Sequence, residues 1–129
     1  MATPDVTRAI EEVVAAFPDS ARTVREDGAG GAYVILESVP LSGPWQQTET
    51  WMGFLIGFQY PYSDVYPHFV RRDLARRDGQ PLGEALSLGG PFEGRPAVQV
   101  SRRSNKRDPV FETAAMKLVK VLEWLRTRP

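Results

Sequence analysis

The sequence predicts an α+β domain: an N-terminal helix, an antiparallel meander sheet, a long irregular loop and a C-terminal helix. Three observations carry this reading. Apolar residues recur at helical spacing near both ends, strand-like runs lie between residues 21 and 60, and prolines and glycines break every pattern from about 61 to 108. At 129 residues the chain has the size of one ordinary domain, expected over 1–129, with a core that hides roughly two-thirds of the unfolded surface.

Thr3, Pro4 and Asp5 read as a helix start, because Thr caps, Pro suits the first turn and Asp complements the helix dipole. Val6, Ile10, Val13, Val14 and Phe17 then form one apolar stripe, which Pro18 ends. Ala21 to Glu26 reads as a strand, Asp27 to Gly31 as a glycine-rich turn, and Ala32 to Val39 as a second strand closing at Pro40, together a hairpin. From Thr50 to Tyr60, Met52, Phe54, Ile56, Phe58 and Tyr60 share one parity, while Trp51, Gly53, Leu55, Gly57 and Gln59 share the other. The helix spanning Pro109 to Leu125 is expected over the bulky face, burying Phe54, Ile56 and Phe58. The glycines mark close backbone approach or a weakened strand. Between Pro61 and Asp108 only Ala97 to Ser101 alternates like a strand, and so long an irregular stretch is often functional. Asp108-Pro109 is expected to start the last helix, with Phe111, Ala115, Leu118, Leu122 and Leu125 on its apolar face and Arg126 and Arg128 near its end.

Apolar residues make up 42% of the chain and charged residues 25%, ordinary globular usage that argues against a disordered or fibrous chain. There is no cysteine, which excludes disulfides, thiolate metal sites and a cysteine nucleophile. Charges within the first 16 residues interrupt any signal-peptide core, and no run reaches the roughly 18 apolar residues of a membrane span, so a cytoplasmic protein without membrane contact is expected. The formal net charge of zero hides an asymmetry: up to Val70 there are three basic and nine acidic residues, and from Arg71 onward thirteen basic and seven acidic. Such a split can steer a charged partner.

His68 is the only histidine, so a His/Cys zinc site is impossible, and neither metal nor other cofactor is expected. Ser63, Asp64 and His68 suggest a hydrolase, but triad members normally converge from different elements, and this extended stretch does not fold them together easily. Gly28-Ala29-Gly30-Gly31 lacks the Lys-Ser/Thr of a phosphate loop and fits the hairpin turn. Arg71, Arg72, Arg76 and Arg77 form one basic cluster; Arg102, Arg103, Lys106 and Arg107 form another. Tyr62, Tyr66 and Phe69 lie near in sequence, a composition that could hold a nucleic-acid backbone and stack bases. No aromatic falls inside either cluster, however, and Asp73, Asp78 and Asp108 dilute them, so Arg71, Arg72, Arg102 and Arg103 are expected to bind a protein, with nucleic acid the competing partner.

The order of elements, with Phe54-Leu55-Ile56-Gly57-Phe58, then Tyr60-Pro61 and Tyr66-Pro67, resembles the third strand and aromatic-proline signature of ubiquitin-conjugating enzymes. Phe92-Glu93-Gly94-Arg95, Gln99-Val100-Ser101-Arg102-Arg103 and Asp108-Pro109 are similar to the bacterial branch called prokaryotic ubiquitin-conjugating-enzyme family E. The likeness covers about Thr50 to Leu125 and implies a ubiquitin-like protein and its adenylating (activating) enzyme as partners.

The chain departs from that family at its catalytic centre. The family's cysteine and the His-Pro-Asn tripeptide before it have no counterpart; aligning the family's glycine with Gly94 places Ala97 at the nucleophile position. Alanine cannot accept an acyl group, so the resemblance implies a binding protein without thioester chemistry. A hydroxyl route through Ser101 or Ser87 would form an oxyester instead. It needs activation, for which His68 is the one imidazole.

Overall fold

A computed structural model describes residues 1–104, 108–109 and 112–129. It has the expected α+β layout: α1 (Pro4–Ala16), β1 (Arg22–Glu26), β2 (Ala32–Pro40), β3 (Glu49–Ile56), β4 (His68–Arg71), β5 (Leu86–Leu88), β6 (Ala97–Val100) and α2 (Ala114–Arg126). The strands form one antiparallel sheet in the order β1-β2-β3-β4-β6-β5. The first four make a meander; β5 then takes the far edge and β6 returns between it and β4.

Local chemistry sets the first elements. Thr3 Oγ1 accepts from the Val6 N–H at 3.1 Å and caps α1. Asp27 Oδ1 accepts from the N–H groups of Ala29 and Gly31, at 2.7 and 2.9 Å, and shapes the turn between β1 and β2. Val6, Ala9 and Val13 of α1 meet Val34, Leu36, Met52, Phe54 and Ile56 of the sheet and Leu118, Val121, Leu122 and Leu125 of α2 in one buried core. Each fully buried Val, Leu, Ile, Phe or Met among them contributes about 1.5–3 kcal/mol.

The structure differs from the sequence reading in three places. β3 ends at Ile56, and Phe58, expected in the core, is 57% exposed. The cause is the partner strand: β2 begins at Ala32, opposite Ile56, so no ladder continues beyond it, and a turn closes from the Gly57 carbonyl to the Tyr60 N–H. Tyr60 itself is buried, its hydroxyl accepting from the Ala114 N–H at 3.0 Å. The last helix starts at Ala114 rather than after Asp108-Pro109, with Thr113 Oγ1 accepting from the Met116 N–H; Phe111 lies outside the described residues. Finally, the irregular stretch holds two further strands, β4 and β5, whose four and three residues are too short to show a pattern.

The opposite face of the sheet carries a smaller cluster under the segment before β6. Phe92 and Arg95 exchange two backbone hydrogen bonds of 2.9 Å around Glu93 and Gly94, both at positive φ, making a tight two-residue hairpin. The Phe92 ring packs on Phe69 at 4.7 Å, Tyr33 at 5.9 Å and Trp51 at 6.4 Å, over Gly53. Close approach is therefore the role of Gly53. Two bidentate ion pairs, Arg25 with Glu93 and Arg95 with Glu37, hold the hairpin down.

Candidate functional site

Ala97 sits in β6 opposite Arg71, fully buried with Ile35 beneath Phe92. A side chain at this position is sequestered between the sheet and the hairpin. Gln99 continues the same face, donating from Nε2 to Ser101 Oγ at 3.1 Å, and Ser87 is its cross-strand partner in β5.

His68 points the other way. It pairs in register with Phe54 of β3 and Val100 of β6, core-facing positions, and its ring lies 5.4 Å from that of Phe54. Because side chains alternate across a strand, His68 and the two serines occupy opposite faces of the sheet, and the hydroxyl-imidazole couple is not assembled. Burial, reinforced by the nearby Lys117 cation and opposed by Asp64, pushes the imidazole down to about 3. Neither ring nitrogen has a hydrogen-bond partner among the described residues, so the Ser63-Asp64-His68 triad is not formed either.

Asp64 is engaged elsewhere. Its Oδ2 accepts from Lys117 Nζ at 3.0 Å and from the Ser104 N–H at 2.8 Å; Ser104 Oγ in turn meets Lys117 Nζ at 2.6 Å and Glu112 Oε1 at 2.8 Å, and Lys120 Nζ lies 3.3 Å from Glu112. Sequence reasoning missed this buried polar network. Its signal was available: Ala114, Lys117, Leu118, Val121, Leu122 and Leu125 form the buried face of α2, so a lysine stands in an apolar stripe.

The arginines divide into two groups. Arg71 grips Asp73 through Nε and Nη2, at 2.6 and 2.9 Å, and donates from Nη1 to the Glu49 carbonyl; Arg76 grips Asp78 in the same bidentate way. These hydrogen bonds raise the arginines' pKa values and hold Asp73 low and Asp78 at about 2. Arg77 donates to the Trp45 carbonyl. Arg72 is exposed beside Trp51, Arg71, Glu49 and Pro96, which line an open groove of about 710 Å³.

The second cluster behaves differently. The Arg102 guanidinium lies over the Trp124 ring at 4.8 Å, Arg128 over the same ring at 4.5 Å, and Arg103 over Tyr66 at 4.2 Å. The fold thus supplies this cluster with the aromatic residues that its own stretch of sequence lacks. Lys106 and Arg107 lie outside the described residues.

Among the described residues no group of three or more His, Asp or Glu side chains could hold a metal, and no helix is long and apolar enough to cross a membrane. No protein-family model, curated protein or solved structure matches the chain.

Proposed function

We propose that this chain is a non-catalytic protein-binding domain, similar to ubiquitin-conjugating enzymes, that acts in a bacterial ubiquitin-like protein conjugation pathway by engaging a ubiquitin-like protein or its adenylating enzyme. The observation that carries the non-catalytic half is the fate of the candidate nucleophiles. Ala97 is sealed beneath Phe92, and Ser87 and Ser101 are separated from His68 by the sheet. An acyl carrier needs an exposed, activated nucleophile. The order of helix, meander and final helix, with Tyr60-Pro61 and Tyr66-Pro67 after β3, supports the likeness. Cytoplasmic residence belongs to the same reading.

Reconstitution tests it. The chain is mixed with ATP and with a bacterial ubiquitin-like protein and its adenylating enzyme. A stable non-covalent complex with either protein is expected, without a reductant-resistant, base-labile adduct. No complex with either protein overturns the pathway; an adduct that disappears in Ser101→Ala or Ser87→Ala restores hydroxyl catalysis.

A further inference from the structure

We infer that Arg102, Arg103 and Arg128 form a docking site for the carboxylates of an acidic protein segment, with Trp124 and Tyr66 as the planes that hold the guanidinium groups ready. The contrast with four other arginines carries the argument. Arg25, Arg71, Arg76 and Arg95 each close both prongs of their fork on a carboxylate of this chain, so their charge is already answered. Arg102, Arg103 and Arg128 have no carboxylate partner among the described residues and rest on aromatic faces instead. Stacking restrains a long side chain without using its in-plane N–H donors, so part of the ordering cost of binding is met before a ligand arrives.

Position strengthens the inference. Arg102 and Arg128 are 26 residues apart yet close on one indole, and Arg103, next in sequence to Arg102, is anchored by a ring from the segment between β3 and β4. Arg102 and Arg128 therefore concentrate positive charge on Trp124 near the C-terminal end of α2, and Arg103 adds a stacked guanidinium on the adjoining segment. The Nε–H of Arg128 is shielded from solvent and has no hydrogen-bond partner among the described residues, so this guanidinium is held by stacking and not by internal pairing.

Carboxylates fit better than a nucleic-acid backbone. Trp124 already carries two guanidinium groups and Tyr66 one, which leaves these rings poorly placed to stack bases. In the other arginine cluster Arg71 and Arg76 are paired with Asp73, Glu49 and Asp78, and the formal net charge is zero, which leaves less unpaired positive charge for a phosphate backbone. The proposal deepens the protein-binding reading and rests on it only in taking the occupant to be a protein.

The test uses the full chain and three fluorescent probes: a ten-residue peptide rich in Asp and Glu, its Asn/Gln counterpart, and a single-stranded oligonucleotide of the same net charge as the acidic peptide. Anisotropy is read at low and moderate salt. The acidic peptide is expected to bind saturably and to weaken as salt rises, and its neutral counterpart not to bind. Arg102→Ala, Arg103→Ala and Arg128→Ala should each weaken binding about tenfold or more, while Arg8→Ala in α1 changes it less than twofold. Arg102→Lys, which keeps the charge and loses the fork, should fall between wild type and Arg102→Ala, with circular dichroism confirming that each variant is folded. Absence of saturable peptide binding, wild-type affinity in the three alanine variants, or tighter binding of the oligonucleotide overturns the site. Failure here beside an intact reconstituted complex removes this site alone; peptide binding without a reconstituted complex removes the pathway alone.

Discussion

His68 stands where an apolar residue would be expected, fully buried against Phe54 with both ring nitrogens lacking hydrogen-bond partners among the described residues. Its proton affinity falls to about 3 from an ordinary value of 6.5. Between those values the unfolded chain binds the additional proton, so this residue makes stability rise with pH. Its contribution is complete above about pH 6.5 and is lost as pH falls towards 3, with a slope of about 1.4 kcal/mol per pH unit. Replacing His68→Leu should flatten the stability profile between pH 4 and 6, and at pH 7 should leave stability unchanged or raise it, because two buried unpaired nitrogens disappear. Urea midpoints of both proteins at several pH values check this, and parallel profiles count against it. Acid-induced loss of the Asp73 and Asp78 ion pairs is common to both proteins and cancels in the comparison.

Among the elements, the hairpin of Phe92 to Arg95 depends on one missing side chain in another strand. A Cβ on Gly53 would lie 2.5 Å from Cε2 of Phe92, and the ring, bounded by Phe69, Tyr33 and Trp51, has little room to swing aside. Gly53→Ala should therefore cost about 1–3 kcal/mol through overpacking. In Phe92→Ala the obstacle is gone, so the double variant should lose less than the two single losses combined. A double-mutant cycle by chemical denaturation measures that coupling, and simple additivity would show that Gly53 is not kept for the ring. The glycine was legible as a mark of close approach, but the ring that needs it lies 39 residues later, beyond any local pattern.

For the whole molecule, α2 is locked to the rest of the fold by polar as well as apolar contacts. Its C-terminal end meets the end of β2 and the loop after it, where Arg126 donates to the Pro40 carbonyl at 2.8 Å and Trp45 Nε1 donates to the Leu125 carbonyl at 2.9 Å. Its middle is joined to the segment between β3 and β4 by Lys117 and Asp64, whose side chains are 4% and 13% exposed. Asp64→Leu strands the Lys117 ammonium in the interior and should cost about 3–5 kcal/mol. The pair Asp64→Leu with Lys117→Met removes both charges and should recover most of that loss. Thermal or urea unfolding of the three variants checks it; equal loss in the single and double variants would show that packing, and not the stranded charge, sets the cost.

The sequence by itself determined α1, the β1-β2 hairpin, and the parity that sends Met52, Phe54 and Ile56 into the core, because caps, turns and alternation act over a few residues. It also determined that no thiol chemistry is possible. Only the tertiary structure decided that Ala97 is sealed, that His68 and the serines face opposite sides, and that Arg102 and Arg103 rest on Trp124 and Tyr66. The physical reason is range. Those relations depend on strand register, on β6 inserting beside β4, and on where α2 docks, and they join residues far apart along the chain through contacts that no local pattern records.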